Sequence, residues 1–172
     1  MAASEADIIN GHTIAVLVDN EPGVLARVIG LFSGRGYNIE SLTVAEVDVK
    51  ANLSRITIAT SGTPMIIQQI KAQLARLVPV HKVSDLTLEG PSVERELALV
   101  KVQGSGESRV ESLRIADIFR ARVVDSTNES FIFEIVGNTG KLDAFINLME
   151  PIGLIDVSRT GVVAIARGSQ PF

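Results

Sequence analysis

The sequence predicts an α+β protein made of two copies of the order βαββαβ, each an antiparallel sheet with helices on one face. Strand-like and helix-like spacings of apolar residues alternate in the same order twice. A polar break at 89–92, containing Gly90 and Pro91, separates the two copies. The length of 172 residues, 46% of them hydrophobic, is enough for two small cores.

The first copy, residues 12–90, opens with the short apolar and β-branched run TIAVLVD, which is typical of a buried strand. Strands are predicted at 13–19, 39–47, 53–60 and 80–88, and a helix at 23–35. The strands at 39–47 and 53–60 form a predicted hairpin. A second helix is expected to begin with Thr63 as its N-cap and Pro64 in its first position.

The second copy, residues 91–172, repeats this order with a weaker pattern. Strands are predicted at 96–103, 122–127, 130–136 and 154–167, the last interrupted near Gly161. Helices are predicted at 109–119 and over the apolar run that precedes Pro151. Two ferredoxin-like domains fit both the length and the rhythm.

In such a domain the sheet face without helices must be covered or carry polar groups. Association between copies is the usual solution, and the mean hydropathy of +0.30 agrees with buried subunit surfaces.

Composition excludes several classes of function. The chain has no Cys, so it forms no disulfide, thiolate zinc site, iron–sulfur cluster or Cys nucleophile. Its only histidines, His12 and His81, are too few for a His-rich metal site. Residues 1–11 lack the features of a signal or transit peptide and are expected to form a flexible arm. No apolar run approaches the ~18 residues of a membrane span, which predicts a cytoplasmic protein.

The segment DNEPGVL at 19–25, where the first strand meets the first helix, predicts a ligand site. Asn20 has a side chain that binds both an ammonium and a carboxylate, and Pro22 stiffens the turn. Gly23 lets a ligand approach the start of the helix, where free N–H groups and the helix dipole favour a carboxylate. The alternative is an ordinary Asx turn that caps the helix.

The segment GRGYNIESL at 34–42 lies at the other end of that helix. At 1.5 Å per residue the helix separates Asn20 from Asn38 by roughly 18 Å, so one amino acid cannot touch both in one chain. Across a two-fold interface with antiparallel first helices, the turn of one subunit meets the Asn38 region of the other. This geometry predicts two equivalent sites in a homodimer.

The start of the first helix resembles an ACT domain, a small ligand-sensing module. The runs NEPGVLARVIGLFS at 20–33 and RGYNIESLTV at 35–44 resemble the small regulatory subunits of acetohydroxyacid synthase, also called acetolactate synthase. Further matching segments are LSR at 53–55, VEREL at 93–97, LVKV at 99–102 and SRTGVV at 158–163. The resemblance covers 13–168 and is strongest before Leu88.

The resemblance implies a noncatalytic regulator that activates a separate catalytic subunit and confers feedback inhibition by valine or a related branched-chain amino acid. It implies thiamine diphosphate, magnesium and FAD on the catalytic partner and no cofactor in this chain. Residues 12–90 would bind the effector and dimerise, and residues 91–172 would contact the catalytic subunit. Asn20 and Gly23 would hold the polar groups of the effector, with Leu25 and Ile39 lining its aliphatic pocket. The implied effector site comprises Asn20, Pro22, Gly23, Val24, Leu25, Asn38 and Ile39.

Other signals favour ordinary structural roles. The run Gly104-Ser105-Gly106 is too short for a P-loop and is interpreted as a flexible connection. His12 and His81 have no evident partner in sequence and are expected to be structural or exposed. Neither the carboxylates at Asp19, Glu21, Glu40 and Glu46 nor the basic residues Lys71, Arg76 and Lys82 have a spacing that fixes a site.

Two alternatives to a synthase regulator remain at this point. An RNA-recognition domain shares the βαββαβ order, but the strand RITIA at 55–59 has no aromatic residue, and a net charge of −4 opposes phosphate binding. The other alternative is a free-standing ACT-type amino-acid sensor that regulates a different enzyme or a transcriptional component.

Overall fold

The computed structural model describes residues 9–172, and two compact units divide the chain. One unit contains the described residues up to Val93 together with 162–172, and the other is Glu94–Gly161. Residues 1–8 of the predicted arm at 1–11 lie outside the described part of the chain. Strand β1 already includes the last two residues of that arm.

The first unit follows the order β1, α1, β2, β3, α2, β4. Their bounds are β1 (Asn10–Asp19), α1 (Val24–Arg35), β2 (Ser41–Asp48), β3 (Leu53–Gly62), α2 (Pro64–Leu74) and β4 (Val80–Asp85). The sheet order is β2-β3-β1-β4 with antiparallel neighbours, which confirms the predicted ferredoxin-like arrangement and the β2–β3 hairpin. Strand β2 is therefore an edge strand.

One face of this sheet forms the first core with α1 and α2. The core residues of the strands alternate with those of the opposite face, as the period of two requires. The core comprises Ile14, Val16, Val18, Ile56 and Ile58 from the strands and Val24, Val28, Phe32, Ile67, Ile70 and Leu74 from the helices.

The ends of the helices follow local sequence signals. Thr63 Oγ1 accepts from the N–H of Ile66 at 3.4 Å and Pro64 occupies the first turn, as predicted. Helix α1 ends where Gly36 adopts a φ of 69°, in the left-handed region that glycine enters at low cost.

Residues 162–172, here called the closing segment, lie with the first unit and contain β9 (Val163–Ala166). Ala164 packs with Ala15 and Leu86 on the sheet face opposite the helices, and Phe172 packs against them. The prediction placed the first domain boundary at residue 90 and assigned all of 91–172 to the second domain. The closing segment instead belongs to the first unit, because it covers part of the helix-free face of the first sheet.

The second unit repeats the topology. The elements are β5 (Ser92–Gln103), which leads into the unit, α3 (Glu107–Ile118), β6 (Arg122–Ser126), β7 (Ser130–Gly137), α4 (Thr139–Gly153) and β8 (Leu154–Arg159). These four strands are ordered β6-β7-β5-β8, again antiparallel. The predicted break near Gly161 separates β8 from β9.

The core of the second unit is rich in phenylalanine. Phe133 is fully buried between Phe131 and Phe145, with ring centroids 5.5 and 6.0 Å away. Helix α4 continues through Pro151 to Gly153 rather than ending before the proline. Pro151 is exposed and lies in the last turn, where its missing N–H removes only one helical hydrogen bond.

Within residues 9–172, no helix combines the length and the apolar character that crossing a membrane requires.

Candidate functional site

The turn between β1 and α1 is held against the β2–β3 hairpin. The N–H of Asn20 donates to the carbonyl of Asn52 at 2.8 Å, and Asn52 Nδ2 donates to the carbonyl of Asn20 at 3.3 Å. Asn20 Nδ2 donates to Glu46 Oε1 at 3.1 Å. Because no other described residue bonds the Asn20 side chain, its Oδ1 is free to accept from an ammonium group.

The start of α1 is open to an anion. Gly23 is the N-cap residue, with a φ of 85°, and no side chain caps the helix. Its first turn has no acidic residue, and a Cβ added at Gly23 would meet nothing within 4 Å. The first N–H groups of a helix have no partner inside it, so this end favours a carboxylate.

Apolar side chains flank this helix start. Val24 is buried in the first core, while Leu25 is 38% exposed beside the open N–H groups. Pro22 is exposed in the turn. Among the predicted site residues of this segment, Pro22 and Leu25 thus expose apolar surface, and Val24 anchors the helix.

Asn38 and Ile39 lie beyond the opposite end of α1. The carbonyl of Asn38 accepts from Thr60 Oγ1 at 2.6 Å, and the Asn38 side chain is exposed. Ile39 is half-buried and packs against the first core. The twelve residues of α1 span about 18 Å, so a single chain does not bring Asn20 and Asn38 together.

Both histidines have carboxylate partners that the sequence did not reveal. His81 Nε2 lies 2.6 Å from Oδ1 of Asp19, the residue directly before Asn20. This contact holds the turn to the start of β4. His12 Nδ1 lies 2.8 Å from Asp85 Oδ2, and both side chains are buried. These partners are 62 and 73 residues away in the chain, so only the pairing of β1 with β4 places them together.

The remaining carboxylates near the turn are separate from one another. Glu46 accepts from Asn20, and Glu40 Oε1 accepts from Ser61 Oγ at 2.5 Å. Among residues 9–172, no three His, Cys, Asp or Glu side chains are placed to hold a metal ion.

Two of the basic residues have different partners. Lys71 Nζ pairs with Glu89 at 2.8 Å, whereas Lys82 Nζ lies 4.9 Å from the ring centroid of Phe172. The connection at 104–106 is bonded to the first turn of α3, where Ser108 Oγ accepts from the N–H of Ser105 at 3.2 Å.

Sequence reasoning missed Arg55. Its side chain lies on the face of the first sheet opposite the helices and donates to the carbonyl of Ala164 at 2.8 Å. Burial lowers the pKa of Arg55, and its Nε has no hydrogen-bond partner in the described chain. Arg55 lies in the matching segment at 53–55, but its role was not evident in the sequence, because its contacts lie in the distant closing segment.

Comparisons with known proteins give a family match in each half of the chain. A family described as the small subunit of acetolactate synthase matches residues 95–168, and one described as the acetohydroxyacid synthase small subunit-like ACT domain matches residues 14–82. A probable acetolactate synthase small subunit of Archaeoglobus fulgidus is 49% identical over 92% of this chain and 98% of its own length.

Two further relatives are similar over nearly the whole chain. The small subunit of acetolactate synthase isozyme 3 from Escherichia coli is 48% identical over 91% of this chain and 96% of its own length. The crystal structure of an acetolactate synthase small subunit from Thermotoga maritima superposes with a TM-score of 0.84, at 40% identity, covering 94% of this chain and 99% of that one.

Proposed function

The chain belongs to the family of acetolactate synthase small subunits, and from this premise we propose that it activates a catalytic subunit and confers feedback inhibition by valine. The family membership confirms the resemblance drawn from the sequence. In this proposal the chain is noncatalytic and acts in the cytoplasm. The thiamine diphosphate, magnesium and FAD belong to the catalytic partner.

The uncapped start of α1 beside Asn20 carries the proposal. The carboxylate of valine accepts from the N–H groups of Leu25 and Ala26 in the first turn of α1, since the N–H of Val24 already donates to the carbonyl of Glu21 at 3.4 Å. The ammonium of valine donates to Asn20 Oδ1. The isopropyl group contacts the exposed part of Leu25. Pro22 and Val24 fix the turn and the helix that present these groups.

A homodimer completes this site, with Asn38 and Ile39 contributed by a second copy. Two features of residues 12–90 support such an interface. Strand β2 is a sheet edge whose Val44 and Val47 are 43% and 54% exposed. Helix α1 has exposed small residues every fourth position, at Ala26, Gly30 and Gly34, which allow close approach of a second helix.

We assign the contact with the catalytic subunit to the domain predicted at 91–172. Helix α3 exposes Val110, Leu113 and Ile118 at 59%, 40% and 75%. Exposed apolar residues in this number on one helix favour a protein partner. Inhibition then requires valine to bind two arrangements of the complex with different affinity, a coupling of about 1–3 kcal/mol.

The test compares Gly23→Asp with Gly23→Asn. Aspartate and asparagine have the same shape and similar tolerance of the left-handed region, so the pair isolates the negative charge at the carboxylate position. Calorimetry with valine measures binding to the chain, and leucine, isoleucine and threonine serve as comparison ligands. Assays of the synthase reconstituted with its catalytic subunit measure activation and inhibition.

We expect wild type to bind two valines per dimer. Gly23→Asp should abolish binding and inhibition while activation persists, and Gly23→Asn should weaken binding less. Valine inhibition that survives in Gly23→Asp would remove the site from the start of α1. A wild-type chain that neither activates the catalytic subunit nor confers inhibition would contradict the function itself.

A further inference from the structure

The closing segment is bonded to β2, the strand that follows the candidate effector residues Asn38 and Ile39. Both backbone polar groups of Val162 are used: its N–H donates to Ser41 Oγ at 2.7 Å, and its carbonyl accepts from Thr43 Oγ1 at 2.9 Å. Ser41 is only two residues beyond Ile39. A change in the position of β2 therefore directly alters the hydrogen bonds of Val162.

Arg55 supplies a second anchor for the same segment. It donates to the carbonyl of Ala164, and its guanidinium lies 4.2 Å from the ring centroid of Phe172. No carboxylate among the described residues forms an ion pair with Arg55. Arg55 also stands opposite Ala45 of β2 in the sheet register. This guanidinium thus serves the closing segment rather than a salt bridge.

The residues just before the closing segment are anchored as well, to the second unit. Arg159 binds both carboxylate oxygens of Glu96, at 2.8 and 2.7 Å, and the N–H of Thr160 donates to the carbonyl of Leu97 at 3.0 Å. Along the chain, Gly161 alone separates this anchored stretch from Val162.

We propose that the closing segment is the coupling element of the regulator, which passes effector occupancy from β2, through Ser41 and Thr43, to the rest of the complex. The inference rests on the proposed function and adds the route of its regulation. Each of the two hydroxyl bonds contributes only a small net free energy, as is typical of a neutral hydrogen bond. They are thus suited to an equilibrium that a small effector shifts.

The test is the double variant Ser41→Ala/Thr43→Val, which removes both hydroxyls that bind Val162. Thr57→Val is the matched control. Thr57 is opposite Thr43 in the register and 4% exposed, and in the described chain its hydroxyl makes no bond to the closing segment. Each protein is titrated with valine alone and then assayed with the catalytic subunit.

The double variant should bind valine on its own within about threefold of wild type. In the reconstituted synthase, the valine concentration for half-inhibition should rise by about tenfold, in the range of typical coupling strengths. Thr57→Val should behave as wild type in both assays. Equal inhibition of the synthase containing wild type and the double variant would overturn the inference.

Hydrogen exchange of wild type gives a second measurement that needs no variant. Valine should change the exchange rate of the peptide spanning 159–172 by threefold or more, and an unchanged rate under saturating valine would overturn the inference. Failure of valine to bind the wild-type chain or complex would overturn the proposed function, and this inference with it. Binding with unaltered exchange and unaltered coupling would overturn the inference alone.

Discussion

The two units begin their second helices in the same way. In each, the N-cap side chain accepts from the N–H three residues later: Thr63 from Ile66 in the first unit and Asn138 from Lys141 in the second. A glycine precedes each cap, and a Cβ on it would come within 3 Å of the side chain at that third position. This shared device belongs to the fold, so it indicates nothing about function.

Their first helices also begin alike, but the surrounding turns differ. Both α1 and α3 have a glycine N-cap without a side-chain cap, at Gly23 and Gly106. Before α3, the Ser108 hydroxyl bonds both the N–H and the carbonyl of Ser105. The turn before α1 is instead held by Asn52, and the Asn20 Oδ1 is free. An uncapped glycine therefore does not define a ligand site, and the asparagine three residues before it distinguishes the first unit.

The helix-free faces of the sheets differ too. In the first unit the closing segment covers part of that face, with Ala15 fully buried. At the position that corresponds to Ala15, β5 of the second unit carries Leu99, which is 40% exposed, and Val136 on β7 is 45% exposed. The first unit thus covers part of its helix-free face with its own chain, whereas the second leaves Leu99 and Val136 on that face exposed.

The largest effect is expected where the units connect their second helix to the last strand. The first unit uses the five residues 75–79 between α2 and β4, while α4 enters β8 directly through Gly153. Gly153 has a φ of 138°, and a Cβ on it would lie 2.2 Å from the carbonyl oxygen of Gln103. Gly153→Ala should therefore destabilise the protein by about 3–5 kcal/mol, from backbone strain and steric overlap.

Urea denaturation measures this loss, and Gly140→Ala in the same helix is its control. A Cβ at Gly140 has only one neighbour, at 3.9 Å, so alanine there should be neutral or stabilise by up to about 1 kcal/mol. Equal stability of Gly153→Ala and wild type would mean that α4 and β8 need no such close connection.

A smaller effect is the pH dependence of stability that Glu89 gives to the first unit. Burial disfavours ionised Glu89, but hydrogen bonds from Lys71, Ser84 and the N–H of Asp85 outweigh it and lower its pKa to about 2. Because the folded pKa is below the usual 4.5, this stabilisation is complete above about pH 4.5 and is lost as the pH falls toward 2. Its size is about 1 kcal/mol, since the side chain is 44% exposed and screened by water.

Glu89→Gln should therefore lower the free energy of unfolding at pH 6, and the difference from wild type should shrink as the pH falls below 4.5. Urea titrations between pH 6 and pH 2.5 measure it. Glu150→Gln on the exposed side of α4 should show no such dependence, because the Glu150 side chain forms no hydrogen bond or ion pair within residues 9–172. A difference for Glu89→Gln that is constant with pH would assign the effect to packing.

Most of the fold could be predicted because its signals are local. Apolar periodicity located the strands and helices, and Thr63 and Pro64 marked the start of α2 within the chain itself. The return of the closing segment to the first unit escaped prediction, because its contacts with Ser41, Thr43 and Arg55 join residues more than 100 positions apart.

The candidate site divides in the same way. Asn20 and Gly23 were predictable, since a polar turn before a helix has a recognisable sequence. The contacts of Asn20 with Glu46 and of Asp19 with His81 depend on strand pairing, and spacing alone does not reveal them. The role of Asn38 stays a prediction, because it requires a second copy of the chain.

The smallest predicted effect compares the residues that end the first helices. Gly36 and Arg120 both adopt left-handed backbone, with φ of 69° and 55°. For an L side chain that conformation costs about 1–2 kcal/mol, partly offset by the greater entropy that glycine loses on folding. Arg120→Gly should therefore stabilise the protein by about 0.5 kcal/mol, and Gly36→Arg should destabilise it by a similar or larger amount. The midpoint of thermal unfolding measures the effect of each substitution. Because a Cβ at Gly36 meets no atom within 4 Å, the stability lost in Gly36→Arg reports backbone strain. If both substitutions shifted the midpoint of thermal unfolding in the same direction, the two helix ends would not be equivalent. The similarity of the units would then hold for their sheets but not for the ends of their first helices.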